Sequence, residues 1–355
     1  MRRARWLAPW KDSGEKPAIY HCISRVVDRR FIFGDREREH FRMFMRMQEN
    51  FTGCRVLSYC VMSNHFHLLL EVPSMAEGGV SDEELLKRLG TVYSDAFVAE
   101  VAGELEEARK EGGDTLAASI HARFTYRMHN LSEFMKTLLQ RMTRWFNREH
   151  NRTGTLWEQR YKSVIVESGV AARTMAAYID LNPMRAGMVN DPAKYRWSSY
   201  GEAVGGGNKG NGKKAREGLV RACMCHQHGG FEAEKWKEVS RIYRRAMGLA
   251  LGRKSGRAQV EKGIVRPQMN TAEALAGKEN GTVLSDLGMA AMLRHRVRYF
   301  TDGAVIGSKA FVNEVFTAGK GRFSDSRKDG ARRMRGSGAP AAGVLWSVRD
   351  LRVRV

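Results

Sequence analysis

The sequence lacks any apolar run near the roughly 18 residues that a membrane-spanning helix requires. Its basic N-terminus, MRRARWLAPW, also lacks the apolar stretch of a secretory signal. Cysteine is scarce, and five residues, an odd number scattered along the chain, do not form the pattern of a disulfide framework. No G-x-x-x-x-G-K-[ST] motif is present, so a fused helicase-type motor is not indicated. These absences predict a reduced, cytoplasmic protein with no membrane segment.

Positive charge is what the sequence has in excess. Its 355 residues include 60 Lys and Arg against 39 Asp and Glu, which gives a net charge of +21 and a pI of about 10.1. Such an excess repels itself unless a polyanion offsets it, and nucleic acid is therefore the leading partner. An anionic membrane surface is the rival partner, whereas nothing in the sequence points to a small-molecule substrate.

The order of predicted elements indicates the fold class. Alternation and helical periodicity predict strand, helix, strand, strand, helix, strand, in the order 18–28, 35–49, 54–62, 65–72, 130–148 and 155–168. This order is the split βαβ, or ferredoxin-like, arrangement of an α+β protein. It predicts a central antiparallel sheet with helices on one face, and a further helix follows at 171–181.

Three other segments complete the predicted organisation. Between Glu77 and Asp114 there are 11 acidic and 4 basic residues, which indicates a helical insertion over 74–128 that keeps away from nucleic acid. The glycine-rich stretch GEAVGGGNKGNGKK predicts a flexible linker over 201–218. The remainder, 219–355, is predicted to be a helical extension with a partly disordered basic tail.

The stretch SNHFHLLLEV places two histidines in a predicted strand. Side chains alternate along a strand, so His65 and His67 project from one face and Phe66 from the other. Two imidazoles side by side make half of a metal site. The alternative is a pair of buried histidines satisfied by hydrogen bonds.

The stretch AAYIDLNPMRAG contains two further candidate residues for this site. Tyr178 and Asn182 are four residues apart and share one helical face. If this helix crosses the histidine strand, the site holds two imidazoles, an amide oxygen and a phenol. That set suits phosphodiester transfer with Mg²⁺ or Mn²⁺, in which the phenol oxygen attacks phosphorus. Alternatively, Tyr178 is a packing aromatic and Asn182, before Pro183, is simply a helix C-terminal residue.

These residues resemble a known family. His65-Phe66-His67 matches the HUH motif, and YIDLNP matches the tyrosine helix of the REP-associated tyrosine transposases, relatives of the insertion-sequence 200 type. LWEQRYKS and YRWSSY resemble further landmarks, so residues 1–200 resemble an HUH tyrosine transposase domain apart from the insertion. The resemblance implies metal ligation by His65, His67 and Asn182, with Tyr178 as the nucleophile. It also implies a substrate of single-stranded DNA that contains a hairpin.

Residues around these motifs carry secondary predictions. Arg160, Lys162 and Arg185 could neutralise DNA phosphates or be solvated surface charges. Trp157 could stack on an unpaired base or pack in the core. Four further residues are candidates for titrating or attacking groups without a partner at an informative spacing, namely Tyr20, His21, Tyr195 and Tyr200.

The short stretch CMCHQH is interpreted as part of the linker rather than as a zinc site. Its Cys-x-Cys spacing is tighter than the usual zinc-ligand spacing, and no second ligand pair accompanies it.

The sequence therefore predicts a metal-dependent single-strand DNA endonuclease and strand transferase acting through a 5′-phosphotyrosine. The alternatives are an HUH nickase for replication initiation or conjugation, a non-catalytic hairpin-binding protein domesticated from a transposase, and a zinc hydrolase. Whether the protein is a monomer or a homodimer stays open.

Overall fold

A computed structural model describes most of the chain. The described residues are 5–13, 16–111, 113–205, 212–224, 233–250, 293, 298–323, 325–334 and 344–348. Seven strands are assigned: β1 Ala18–Arg25, β2 Arg55–Val61, β3 His65–Val72, β4 Lys162–Val166, β5 Val305–Gly307, β6 Arg332–Arg333 and β7 Trp346–Val348.

The helices divide into those of the main domain, the insertion and the C-terminal part. In chain order they are α1 Asp35–Thr52, α2 Asp82–Leu89, α3 Asp95–Glu111, α4 Gly113–Thr125, α5 Leu131–Glu149, α6 Val170–Asp180, α7 Asn182–Arg185, α8 Ser199–Gly205, α9 Lys213–Met224, α10 Ala233–Ala250, α11 Arg298–Asp302 and α12 Lys309–Ala318. Short 3₁₀ turns lie at Val27–Arg29, Pro192–Lys194 and Lys320–Arg322.

The sheet has the predicted ferredoxin-like core. Its strand order is β2-β3-β1-β4-β5-β7-β6, and the first four strands pair antiparallel. Beyond them β5 lies parallel to β4 and is followed by β7 and β6. The α+β class with a central antiparallel sheet is therefore confirmed, and three C-terminal strands extend it.

Helices cover both faces of this sheet. On one face α1 and α5 pack together, and Phe66 of β3 contacts Phe41 of α1 at a ring-centroid distance of 4.6 Å. These are the two helices of the split βαβ unit, and they share one face as predicted. The opposite face carries α6 and α9, where the Ser58 hydroxyl of β2 lies 3.5 Å from the Ala176 carbonyl of α6. The histidines of β3 point to this second face.

Local signals account for the helix ends near the site. The Asn130 side chain accepts hydrogen bonds from the backbone N–H groups of Ser132 and Glu133, which caps α5. The Glu133 carboxylate pairs with Lys136. Helix α6 ends at Asp180, and Pro183 lies in the single turn of α7 that follows.

The insertion is helical, as predicted, and has a hydrophobic core of its own. Helices α2, α3 and α4 supply most of it, and Phe51 at the end of α1 joins it to the main domain. Its buried apolar residues include Leu85, Leu89, Val101, Leu105, Ile120 and Phe124.

The linker prediction is wrong where the structure can be compared with it. Residues 201–205 lie in α8 and 213–218 in α9, whereas 206–211 lie outside the described residues. Gly218 is needed for close packing, because a Cβ there would lie 2.3 Å from the Val56 carbonyl oxygen of β2. Glycine in this segment therefore serves helix–sheet contact as well as turns. Of CMCHQH, only the first two residues are described, and Cys223 is buried in α9.

The C-terminal extension is not only helical. Strands β5, β6 and β7 are three, two and three residues long, too short for alternation to reveal them. Helix α12 agrees with the predicted helical extension, and the Ser308 side chain caps it by accepting from the N–H of Phe311. Of the predicted extension and its basic tail, residues 225–232, 251–292, 294–297, 324, 335–343 and 349–355 lie outside the described residues. That the chain divides into separate domains near residues 200 and 219 stays a prediction.

Among the residues that the structure describes, no helix is long and apolar enough to cross a bilayer. The four described cysteines are all free thiols and buried, at Cys22, Cys54, Cys60 and Cys223.

Candidate active site

Strand register places the histidines on one buried surface. In the antiparallel pair of β1 and β3, Ile23 lies opposite His67 and Arg25 lies opposite His65. Directly paired residues share a face, and so do residues two apart, so His21 also projects to this side. The rings of His65 and His67 are 5.1 Å apart between centroids.

A chain of hydrogen bonds fixes the tautomer of His67. The Nδ1 of His21 lies 2.9 Å from the Phe300 carbonyl oxygen, which can only accept, so this nitrogen carries the proton. In a neutral imidazole the other nitrogen then accepts, and the His21 Nε2 lies 3.0 Å from the His67 Nδ1. His67 must donate at Nδ1, which leaves its Nε2 lone pair for a metal.

Burial keeps these rings neutral. It lowers the pKa of His21 to about 4, against a partial opposing effect from the Phe300 carbonyl. Burial also lowers the pKa of His67 well below its ordinary value, and the neighbouring His21 and His65 add to the effect. Neutral imidazole is the form that ligates metals.

His65 is held in the same tautomer by Asn64. The Asn64 Nδ2 donates to the Arg29 carbonyl at 2.9 Å, so its Oδ1 is turned to accept from the His65 Nδ1 at 2.7 Å. The Nε2 lone pair of His65 therefore takes no part in this hydrogen bond and, like that of His67, is available to a ligand. Burial, then the nearby Arg25, lowers the pKa of His65 to about 4. Two neutral imidazoles on one face thus present the same nitrogen.

Helix α6 brings the phenol beside these rings. Tyr178 lies edge-on to His67, with ring centroids 5.9 Å apart and planes at 89°, and its centroid is 6.2 Å from that of His21. Asn182 donates its Nδ2 to the carbonyls of Tyr178, at 3.1 Å, and Ile179, at 3.2 Å. The amide nitrogen is thereby committed to its own helix, and the carboxamide oxygen is the atom that could bind a cation.

The phenol is covered in this conformation. Tyr178 is 1% exposed, and the Phe300 ring of α11 stacks on it at a centroid distance of 4.4 Å. Burial raises the pKa of Tyr178 to about 12, while the Arg185 guanidinium opposes the rise. The Arg185 Cζ lies 4.9 Å from the centre of the Tyr178 ring. The nucleophile candidate is therefore adjacent to the histidines but shielded from solvent.

The predicted DNA-contacting residues separate into two groups. Lys162 is exposed and pairs with Ile23, in the same row as His67, so it lies at the rim of this face. Arg160 is exposed just before β4. Arg185 is half-buried and donates to the Tyr178 carbonyl at 3.3 Å, which puts its charge beside the phenol.

Trp157 does not belong with them. It is buried, its Nε1 donates to the Leu139 carbonyl at 3.2 Å, and its ring meets Phe66 at 5.6 Å on the opposite face of the sheet. In this structure Trp157 packs in the core, which is the alternative to base stacking that the sequence left open.

The candidate ligands on this face differ from those of a metal site formed by the protein alone. Within the described residues, no three His, Cys, Asp or Glu side chains are grouped so that they could hold a metal ion. A cation held by the predicted residues would therefore have two imidazoles and at most one amide oxygen as protein ligands, with the remaining positions open to water or phosphate. Mg²⁺ and Mn²⁺ accept such open, oxygen-completed coordination.

Sequence reasoning missed two contributors to the site. His21 was noted without a partner, because its contact with His67 depends on strand register rather than on spacing within a motif. Phe300 carries no sequence signal of its own. Only the register of β1 against β3, which no motif in the sequence encodes, puts His21 on the histidine face.

Comparisons with known proteins support the resemblance. Residues 16–107 match the family model described as "Transposase IS200 like", a segment that includes β1, β2, β3 and both motif histidines. The resemblance to this transposase family is thus confirmed, over a segment that ends before Tyr178. A solved structure described as "Structure of the REP associates tyrosine transposase bound to a REP hairpin" is similar, at 12% identity over 58% of this chain and 85% of that chain, with a TM-score of 0.36. No curated protein matches the chain.

Proposed function

We propose that this protein is a metal-dependent, transposase-type endonuclease and strand transferase for single-stranded DNA. It would act on hairpin-containing DNA through a 5′-phosphotyrosine intermediate. The observation that carries the proposal is the position of the Tyr178 ring, 5.9 Å from that of His67 on the face where both histidines keep a free Nε2. The transposase family match over 16–107 agrees with it.

The chain's own residues fit a divalent cation. The Nε2 atoms of His65 and His67 and the Oδ1 atom of Asn182 are the donors that would hold it. Both Nδ1 atoms are already bonded to acceptors, which orients the rings as metal ligands require. When bound, Mg²⁺ or Mn²⁺ would polarise the scissile phosphate and offset its developing charge, an effect of several kcal/mol.

The covalent step belongs to Tyr178. Its oxygen loses the phenol proton and bonds to phosphorus, while the bond from phosphorus to the 3′ oxygen breaks and that oxygen takes up a proton. One phosphoester replaces another, so the released 3′-hydroxyl can reverse the step and join a new strand. Arg185 stabilises the phenolate, because its guanidinium lies over the ring and opposes the burial effect on the pKa of Tyr178.

Charge and resemblance define the substrate class. A net charge of +21 favours binding to a polyanion, and the affinity for single strands should fall with salt at a slope of about −0.7 per phosphate neutralised. The hairpin is part of the proposal because the motifs resemble those of REP-associated tyrosine transposases. An HUH nickase in replication initiation would use the same residues on a different target.

One observation favours a second candidate, a non-catalytic hairpin-binding protein. Tyr178 is 1% exposed beneath Phe300, and burial raises its pKa to about 12. Attack on a phosphate therefore requires α11 to move away from the phenol. If α11 stays in place, the protein binds DNA without cutting it.

A nicking assay distinguishes the two. The full chain is incubated with Mg²⁺ or Mn²⁺ and single-stranded hairpins taken from the flanks of its own gene. We expect a denaturation-resistant protein–DNA adduct that disappears in Tyr178→Phe, which removes only the attacking hydroxyl. Tyr126→Phe is the matched control, because Tyr126 is 60% exposed in the insertion. Binding without cleavage under either metal would favour the non-catalytic protein, and cleavage that survives in Tyr178→Phe would indicate hydrolysis at the histidines.

A further inference from the structure

The segment VVDRRFIFG, which joins β1 to α1, presents an aromatic side chain to solvent. Phe31 is 82% exposed, the highest value among the exposed large apolar residues of the described chain. Phe33, two residues later, is 2% exposed and packs in the core. The same residue type therefore has opposite environments within one short loop, and core packing does not account for Phe31.

The loop backbone holds Phe31 outward. Asp28 and Arg29 have φ values of 55° and 56°, a left-handed conformation that residues other than glycine seldom adopt. The N–H of Ile32 donates to the Arg30 carbonyl at 3.1 Å, which closes a tight turn centred on Phe31. The Phe33 N–H then donates to the Ser63 carbonyl at 2.9 Å and returns the chain to the core. Unfavourable backbone conformations that persist in this way are typical of functional loops.

This loop is tied directly to the candidate metal ligand. The Asn64 side chain bonds both to the Arg29 carbonyl, at 2.9 Å, and to the His65 Nδ1, at 2.7 Å. The Val26 N–H donates to the Asn64 carbonyl at 2.9 Å. Asn64 is therefore bonded to this loop through both its side chain and its backbone. Phe31 is two residues beyond Arg29, a reach of about 7 Å at most along the chain. The exposed ring is therefore within a few nucleotides of the proposed cleavage site.

Unpaired positive charge lies in this loop and at the end of the strand before it. Arg25, Arg29 and Arg30 are exposed, and within the described residues none of them is in an ion pair. Arg25 is the register partner of His65. Asp28 is the single acidic residue of the loop, so the local charge is positive. An exposed aromatic among unpaired arginines is the combination that binds single-stranded nucleic acid, by stacking and phosphate contact together.

We propose that Phe31, with Arg25, Arg29 and Arg30, is a stacking platform for an unpaired base beside the phosphate to be cut. The inference rests on the proposed single-strand DNA function and adds a binding site to it. Stacking tolerates any base, so the platform positions the strand and leaves the choice of sequence to other contacts. A rigid loop that shares Asn64 with His65 would hold the base at a fixed offset from the metal ligands.

A binding measurement tests the platform. Affinity is measured by fluorescence anisotropy in the Tyr178→Phe background, with a hairpin that carries an unpaired extension and with the same hairpin made blunt. We expect Phe31→Ala to weaken binding of the extended hairpin by about 5- to 100-fold, with the blunt hairpin unchanged. Phe31→Trp should restore it, and quenching of 2-aminopurine in the extension should require an aromatic residue at position 31. Met43→Ala is the control, since Met43 is 45% exposed on α1.

The outcomes separate this inference from the proposed function. Equal losses with both hairpins, no loss with either, or a wild-type protein that binds the extended hairpin no better than the blunt one would overturn the platform. If Phe31 supports binding of the extension but the nicking assay yields no adduct, the platform stands and the endonuclease proposal fails.

Discussion

The two faces of β3 carry alternate residues of one eight-residue strand and serve different purposes. One face presents Phe66 and Leu68 to α1 and α5, where aromatic rings interlock. The other presents His65 and His67 to α6 and α11, where each imidazole is hydrogen-bonded and its pKa is lowered by burial. Both faces are buried, so the difference is in what burial achieves. On the first face it stabilises the fold, and on the second it costs stability while it keeps the two imidazoles, the proposed metal ligands, neutral and oriented.

The largest expected effect is a loss of stability on removing a large side chain from the apolar face of β3. Phe66 is fully buried between Phe41 and Trp157, so Phe66→Ala should lower the free energy of unfolding by about 3–5 kcal/mol. Urea denaturation measures the loss. His67→Ala, one position along on the opposite face, should cost markedly less stability yet remove metal binding. Equal losses of stability and of metal affinity in the two variants would contradict this difference between the faces.

The next effect is a loss of stability in acid. The pKa values of His21 and His65 are lowered to about 4 in the folded protein, and that of His67 is also lowered. Below the ordinary value of 6.5 the unfolded chain therefore binds protons that the folded chain does not. Stability is complete above pH 6.5 and should fall as the pH decreases, by about 1.4 kcal/mol per pH unit for each proton.

Asp180 acts in the opposite direction over part of this range. Burial raises its pKa to about 7, so its contribution is present in acid and is lost as the pH rises. Three histidines outweigh one aspartate, and we expect a net loss between pH 6.5 and pH 5 in the chelator-treated protein. Replacing all three histidines by glutamine should reverse the slope. A wild-type protein equally stable at both pH values would contradict the expectation.

A smaller effect, on metal affinity, should follow from changing His21, the hydrogen-bond partner of His67. His21→Ala removes the acceptor for the His67 Nδ1–H, and loss of such a partner typically weakens metal affinity by about 10- to 100-fold. His21→Gln keeps an acceptor and should recover most of the affinity. Titration with Mn²⁺, followed by electron paramagnetic resonance, measures binding without relying on activity. Equal affinity in wild type and His21→Ala would rule out a role for His21 in orienting His67.

The smallest expected effect is the removal of the cover over the phenol. Phe300→Ala takes away the ring stacked on Tyr178, so water reaches the phenol and its pKa should move from about 12 toward 10. At pH 8 we expect the nicking rate to rise by up to about tenfold. Ultraviolet titration measures the phenolate, and the double variant with Tyr178→Phe isolates this tyrosine from the others. A nicking rate that falls would show that Phe300 orients the nucleophile instead of covering it.

The sequence predicted what local patterns encode. Strand β3 spans His65–Val72 as predicted, and α5 spans Leu131–Glu149 close to the predicted range 130–148. The contact between His21 and His67 could not be found in this way, because it depends on the register of two strands far apart in the chain. The cover by Phe300 and the three short C-terminal strands depend on still more distant pairing. Glycine misled the linker prediction, since Gly218 allows α9 to approach β2 closely.

The pairing of β5 with β4 also has a consequence for the newly made protein. Ile165 pairs with Val305, so β4 leaves the ribosome well before its neighbour exists. At roughly 5–20 residues per second, the interval between them is on the order of ten seconds. During that time β1 to β4 and α6 can fold while Phe300 is still unmade, and the His21 Nδ1 and the Tyr178 ring are without their cover. Each molecule would therefore pass through a stage of synthesis in which Tyr178, the proposed nucleophile, lacks the Phe300 ring that later covers it.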